Sequence, residues 1–428
     1  MDDSNVDHHS GEGKIAILMF SLLAIVVILG TIGAYAYSGS LMVEEEISRG
    51  EALVWVGQEY ISMVMFVTLA LLLFSGYPVA FILGGLAMLF GLLGYFLDSF
   101  SLIEYFNFIP RIWGQACENL VLVAVPAFVF MGVMMERSGI ANDLLYCVQV
   151  LLKRVPGALA LAVTVMGTIL AAMTGIIGAS VTMMTALALP TMMRQGYSHA
   201  MSCGVIAASG TLGILIPPSI MLVLMADRMA MSVGDLFLGA VFPGALLGGL
   251  YVSYILVYGL LKPDHAPAAK REPIDLKVVW ELFMAIVPAA FLILAVLGSI
   301  FFGLATPTEA AGVGAAGALL LAALNRALNM SVLREVLFET TRTTAFIFAV
   351  LLGATAYSLV LRGLGGDELI ERALLGLPFG PSGIIISILF ATFLLGFFLD
   401  WIELTLIILP LVSPVVFNLG FDPVWFTI

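Results

Sequence analysis

Residues Gly175–Ile220 read GIIGASVTMMTALALPTMMRQGYSHAMSCGVIAASGTLGILIPPSI. Two places in this apolar run break helical regularity. The first, Gly175 to Thr182, is rich in small and hydroxyl residues. The second, Ala207 to Ser219, ends on Pro217-Pro218 inside a span that carries no charge from Ala200 to Ala226. Both prolines lack an N–H and the first restricts the residue before it, so the span must part there into two half-helices. Broken backbone at membrane depth is tolerated only where it is buried in protein or lines an aqueous cavity. Carbonyls released between Gly213 and Ile216, together with Ser and Thr hydroxyls, form a hard oxygen set suited to Na⁺. Half-helix N-termini offer free N–H groups and a positive dipole end to an anion.

The surrounding sequence makes membrane depth the right frame. Of 428 residues, 61% are hydrophobic and 11% charged, and the mean hydropathy is +1.12. A soluble domain carries about 25% charged residues. Runs free of Asp, Glu, Lys, Arg and His cover Ile15–Val43, Tyr60–Leu97, Gly157–Met193, Ala200–Ala226, Leu282–Thr308, Thr343–Leu361 and Ala373–Leu399, and about 20 apolar residues suffice for one crossing. The formal net charge of −12 sits partly on acidic flanks, and no basic cluster points to nucleic acid. Cys117, Cys147 and Cys203 are odd in number and widely spaced, which fits neither a disulfide nor a metal framework. No P-loop, HExxH, GxSxG or CxxC occurs, so no enzymatic constellation and no ATP-hydrolysing motif is expected.

Short loops give the orientation, because Lys and Arg mark the cytoplasmic side. Gly157–Met193 is flanked by Lys153 and Arg154 on one end and Arg194 on the other. It is too long for one straight helix and reads as a re-entrant hairpin returning to the basic side; two short spans with an outside turn are the alternative. Ala200–Ala226 then crosses outward, Leu236–Leu261 returns, and Lys262–Lys277 is a cytoplasmic linker. Leu282–Gly303, Glu309–Asn325 and Thr343–Val360 follow, with Asp367–Ala373 along the surface. A second apolar stretch, Gly376–Phe417, thus enters from the opposite side. The expected organisation is an extra transmembrane helix and acidic loop over 1–60, a first repeat over 61–261 with hairpin 157–193 and broken helix 200–226, a linker over 262–280, and a second repeat over 281–428 with hairpin 376–417. This is an all-α polytopic membrane protein with inverted-topology repeats, re-entrant helical hairpins and broken helices. Pro190, Gly196 and Tyr197 recur as Pro414, Gly420 and Phe421 at an offset of 224 residues.

The opening run resembles the first hairpin and broken helix of the large membrane subunit of tripartite ATP-independent periplasmic (TRAP) transporters. GYPVAFILGG at Gly76–Gly85, PAFVFMGVMMERSGI at Pro126–Ile140, GLATPTEAAGVGA at Gly303–Ala315 and FLDWIELTLIILPLVSPVV at Phe398–Val416 resemble that family in its order. The resemblance implies an ion-transporter-superfamily-like, elevator-type importer of organic acids such as C4-dicarboxylates, with Na⁺ as coupling ion and no other cofactor. It implies a small TRAP membrane subunit and a periplasmic substrate-binding protein as partners, and a bacterial or archaeal inner membrane as location. By that likeness the candidates for ion and substrate are Gly178, Ser180, Thr182, Ser209, Gly210, Thr211, Gly213, Ile216 and Pro217, with Na⁺ at Ser180, Thr182, Ser209 and Thr211. The first run, Ile15 to Tyr37, lies outside the resemblance and reads as a linking helix or a plain anchor.

Asp400 and Glu403, three apart near the second hairpin's tip, join the candidate list as intramembrane carboxylates that share a helical face. The competing reading for them is a wet or helix-capping tip. Glu309, after Thr306-Pro307-Thr308, is expected to serve the start of its helix. The repeat offset puts the counterpart of Pro217-Pro218 at about position 441, past Ile428. The chain is therefore expected to be cut short of its second broken helix and to insert without supporting transport. The alternatives are a stand-alone proton- or Na⁺-coupled carboxylate carrier and a membrane-embedded enzyme, the latter needing a surface cluster of Asp, His or Arg that the sequence does not show.

Overall fold

The computed structural model describes residues 49–137, 155, 157–174, 177–267, 276–397 and 399–428. The run Ile15–Tyr37, the segment Ile140–Leu152, the tip residues Gly175 and Ile176 and residues 268–275 of the expected linker lie outside them. The described residues are helical throughout, without a strand. In chain order they form α1 (Arg49–Leu73), α2 (Val79–Phe96), α3 (Leu102–Phe106), α4 (Phe108–Ile112), α5 (Ala124–Arg137), α6 (Ala158–Thr174), α7 (Ile177–Arg194), α8 (His199–Leu212), α9 (Ile220–Arg228) and α10 (Val233–Leu261). Then come α11 (Leu276–Phe301), α12 (Pro307–Leu324), α13 (Met330–Gly363), α14 (Gly366–Leu375), α15 (Pro381–Leu395), α16 (Trp401–Glu403), α17 (Leu409–Asn418) and α18 (Pro423–Thr427). Among the described residues six helical stretches are long and apolar enough to cross a membrane, or seven with the bent pair α8–α9 as one span. The chain is an all-α polytopic membrane protein.

Boundaries differ from expectation in three places. α1 begins at Arg49, so a helix runs across the expected division at residue 60. α11 begins at Leu276, inside the expected linker. The expected span Thr343–Val360 is the later part of α13, a continuous helix of 34 residues, about 51 Å long at 1.5 Å per residue.

An internal repeat is written in the helix ends. α2 closes with Leu97, Asp98, Ser99 and Phe100 N–H groups on the carbonyls of Leu93, Tyr95, Gly94 and Gly94; α12 closes with Asn325, Arg326, Ala327 and Leu328 on Leu321, Ala323, Ala322 and Ala322. Asp98 and Arg326 stand 228 residues apart, and both take the left-handed conformation without being glycine, at φ 57° and 54°. α7 and α17 end alike at the offset of 224. Gln195, Gly196 and Tyr197 bond back to Thr191, Met193 and Met192, as Leu419, Gly420 and Phe421 do to Val415, Phe417 and Val416. Gly196 and Gly420 sit at φ 85° and 79°, the C′ position where a side chain is strained and glycine is not. The side chains of Ser198 and Asp422 then cap the next helices, α8 and α18.

One segment escapes the repeat. Leu102–Arg137 is broken into α3, α4, a π-helical turn at Trp113–Cys117, a 3₁₀ turn at Leu120–Val123 and α5. Its counterpart is the unbroken α13. The first carries Pro110 and Pro126 and an Asn119 cap on the Val121 N–H; the second has no proline.

The chain divides into two compact units, the residues through Glu118 with Ile347–Phe421, and Asn119–Phe346 with Asp422–Ile428. In the first unit Gly353 of α13 lets α2 come so close that a Cβ there would lie 2.7 Å from the Ala80 carbonyl oxygen. In the second, α5 packs along a small-residue stripe of α12, Ala310, Ala311, Gly314, Ala318 and Ala322, all buried. Such stripes matter in lipid, where apolar contact alone gives little net drive for association. At the head of α12, Glu309 serves the helix start as expected, forming with Thr306 a capping box, and the Thr308 hydroxyl donates to the Leu120 carbonyl at 2.9 Å.

Gly353→Ala is expected to lower the detergent melting midpoint by several degrees, because the neighbour is backbone and overpacking costs about 1–3 kcal/mol. Gly312→Ala, on α12 with nothing within 4 Å of the added carbon, is expected to leave it equal or higher. Equal loss in both variants would refute the close approach.

Candidate ion and substrate site

The first hairpin is α6 and α7. Its two ends meet: the Leu159 N–H donates to the Tyr197 hydroxyl at 3.2 Å, and Gly157 and Ser198 N–H groups donate to the carbonyls of Ala266 and His265. The hairpin therefore begins and ends on the side where α10 ends. Burial raises the Tyr197 phenol above its ordinary range.

α8 lies against both arms. A Cβ on Gly167 of α6 would stand 2.5 Å from Met184 Sδ and 2.8 Å from Ser209 Cβ; one on Gly210 would stand 2.4 Å from Val181 Cγ2. The four hydroxyl residues expected to hold Na⁺ flank this last contact, Ser180 and Thr182 beside Val181, Ser209 and Thr211 beside Gly210. The structure sorts them into a buried pair, Ser180 and Ser209, each 1% exposed, and an exposed pair, Thr182 and Thr211. Ser209 donates to the Val205 carbonyl, Thr182 to Gly178 at 2.8 Å and Thr211 to Ala208 at 2.9 Å. A hydroxyl that donates to its own helix keeps lone pairs for a cation. Gly178 is exposed at the start of α7, with open space around it.

The span breaks where the prolines require. α8 tightens into a 3₁₀ turn at Gly213–Leu215, Ile216 is extended, the Pro217–Pro218 bond is cis, and α9 starts at Ile220. The two half-helices are bent by 46°. The expected carbonyl set is partly engaged: Gly213 accepts the Ile216 N–H and Ile214 accepts the Ser219 hydroxyl at 2.5 Å. Among the described residues no backbone donor closes on Leu215 or Ile216, because the chain leaves the helical path at the extended Ile216; the donors that the two prolines lack are those that would have met Gly213 and Ile214. Because Ser219 turns back to Ile214, no side chain caps α9, yet Pro217, Pro218, Ser219 and Ile220 are buried. A buried helix start without a cap leaves N–H groups turned to whatever enters.

Comparison with known proteins fits this geometry. The profile described as "Tripartite ATP-independent periplasmic transporter, DctM component" matches residues 66–428. The chain belongs to this family. It is 30% identical to the uncharacterized protein YgiK of Salmonella typhimurium, over 86% of this chain and 83% of that one. It is 29% identical to the C4-dicarboxylate TRAP transporter large permease protein DctM of Pseudomonas aeruginosa, over 72% of each. It is also 29% identical to the isethionate TRAP transporter permease protein DctMQ of Oleidesulfovibrio alaskensis, over 85% of this chain and 56% of that one.

The expected second hairpin of this TRAP large subunit belongs to the other unit. Asp400 is exposed and caps α16, accepting the Trp401 N–H at 2.8 Å. Glu403, one turn on, is 3% exposed, and its Oε2 has no hydrogen-bond partner. The next turn widens into a π-helix over Leu404–Ile408. The capping reading therefore holds for Asp400, while Glu403 is a buried carboxyl with an unanswered oxygen.

Sequence reading missed Gly167, Met184 and Ser219, which shape the crossing and close the break. It read the loop after α10 as a linker only and missed its bonds to the hairpin. A serine directly after a double proline was the available signal for Ser219; nothing in the sequence marked the loop's bonds.

Asp400→Ala is expected to cost about 1 kcal/mol, as loss of an N-cap does. Glu403→Gln keeps the shape and removes an ionisable group with an unmet oxygen, so it should melt in detergent at least as high as the parent. A loss of many degrees in Glu403→Gln would mean that the carboxylate is held by a charge partner.

Proposed function

We propose that this chain is the permease subunit of a Na⁺-coupled, binding-protein-dependent secondary transporter that imports organic acids through the inner membrane. A small membrane subunit and a periplasmic substrate-binding protein complete it. The reading rests on family membership and, in the molecule, on one observation above others: the start of α9 is buried and uncapped beside two carbonyls without backbone donors. The N–H groups suit a carboxylate or sulfonate and the carbonyls a hard cation, so one break serves both charges. The names of the relatives, which include a C4-dicarboxylate and an isethionate transporter, share only an anionic group, and that is the substrate class assigned here. Elevator-type movement of the hairpin and broken helix is the alternating-access step that such a site requires.

Two experiments test it. Proteoliposomes holding the two membrane subunits should show negligible uptake of organic acids until a periplasmic binding protein is added; robust uptake without it favours a stand-alone carrier. Ser180→Ala with Thr211→Ala should raise the Na⁺ concentration for half-maximal uptake by at least about fivefold, the loss expected for one or two oxygen contacts. Unchanged Na⁺ dependence at normal expression would remove these hydroxyls from the site and favour proton coupling.

A further inference from the structure

The loop Lys262–Pro267 is fastened at both ends of the first hairpin. The Gly157 N–H, just before α6, donates to the Ala266 carbonyl at 3.0 Å, and the Ser198 N–H, at the head of α8, donates to the neighbouring His265 carbonyl at 3.1 Å. Ala266 is fully buried, and Pro267 lies 3.9 Å from where a Gly196 Cβ would stand. A loop that merely led from α10 to α11 would leave these carbonyls to water. The strap is held to its own helix as well. The His265 ring meets the Tyr258 hydroxyl through Nδ1 at 3.0 Å, Lys262 lies over the Tyr258 ring at 5.7 Å, and Tyr254 stacks on Tyr258.

α10 touches the same module along its length. A Cβ on Gly244 would stand 3.0 Å from Ile216 Cγ1 and 3.4 Å from the Leu215 carbonyl oxygen, and one on Gly248 would stand 3.5 Å from Leu212. Gly157, at φ 82°, approaches Ile255 so closely that a Cβ would lie 3.1 Å from its Cγ2. Moving the hairpin past α10 would break these contacts together with both backbone bonds of the strap.

We infer that the Lys262–Pro267 strap buckles hairpin, broken helix and α10 into one moving body, with His265 and Tyr258 as the positioning residues that fasten it. α10 then travels with the candidate site, and the sliding surface lies elsewhere. The movement itself rests on the transport reading above; the strap does not.

Amide exchange on the purified chain tests the fastening. His265→Ala should speed exchange in peptides containing Gly157 and Ser198 by about tenfold, the factor set by one lost net hydrogen bond. Tyr258→Phe, which removes only the hydroxyl, should act in the same direction, and His265→Gln should largely restore protection. Unchanged exchange in both variants, or equal acceleration in α5 and α12, would overturn the inference. A second arm tests the shared movement. Gly196→Cys with Pro267→Cys, in a chain whose Cys117, Cys147 and Cys203 are serine, is joined by a short thiol-specific linker and reconstituted with both partner proteins. Uptake within about twofold of the unlinked protein is the expected result, since the linked parts do not separate. Loss of uptake on linking, regained on release, would overturn it. Absence of uptake in the cysteine-free parent that keeps Gly196 and Pro267 counts against the transport reading alone, and the exchange arm still decides the strap.

Discussion

Hydrocarbon offers no hydrogen bonds, and the packing around the broken span follows from that constraint. A helix crossing the bilayer meets it by default; a helix interrupted by Pro217-Pro218 does not, because two donors are missing and several carbonyls and N–H groups lose their partners. The molecule answers locally first. Ile216 closes on Gly213 and Ser219 on Ile214. It then encloses what is left: α6 and α7 close over α8 through Gly167 and Gly210, and α10 closes over the break at Gly244. What remains of the break without a backbone or side-chain partner is the start of α9 and the carbonyls of Leu215 and Ile216.

Glycine is what makes that enclosure possible. Between apolar helices in lipid, association depends on how closely backbones approach. Every tight approach described here is at a glycine whose Cβ would collide, whether with a neighbour's side chain at Gly167, Gly210 and Gly314 or with backbone at Gly353. A helix that approaches at side-chain distance would leave voids beside the break, and voids of that size next to unpaired carbonyls would fill with water.

What could be read from the sequence was what local chemistry dictates. The double proline fixed the break, Glu309 after Thr306-Pro307-Thr308 the start of its helix, and the basic flanks the common side of the hairpin's ends. The start of α1 was hidden because Glu51 and Glu59 interrupt the apolar run, although charges near the end of a long helix are tolerated at the interface. The unbroken course of α13 was hidden because its first turns carry Arg334, Glu335 and Glu339, which hydropathy reads as loop. At the candidate site the four hydroxyls were found but their division was not: position along a helix does not say which neighbour covers it, and Ser209 is covered in part by Gly167 on another helix. The strap was invisible for the same reason, its bonds being made by backbone carbonyls that any residue supplies.

The same distinction explains why so little of the internal repeat survives as sequence. Apolar faces tolerate exchange among Leu, Ile, Val, Phe and Met as long as volume and pattern are kept, so the helices of the two halves have drifted apart. Helix ends do not have that freedom. A left-handed C′ residue favours glycine, and a capped start favours Ser or Asp. Gly196 with Ser198 and Gly420 with Asp422 therefore persist at a fixed spacing while the helices between them share few residues. Where even the ends are free to change, as at Asp98 and Arg326, the backbone keeps the turn and the sequence loses it. The repeat is thus plain as geometry and legible as residues only where geometry has one or two solutions. The one segment where it fails, Leu102–Arg137 against α13, is the segment where prolines on one side have no counterpart on the other.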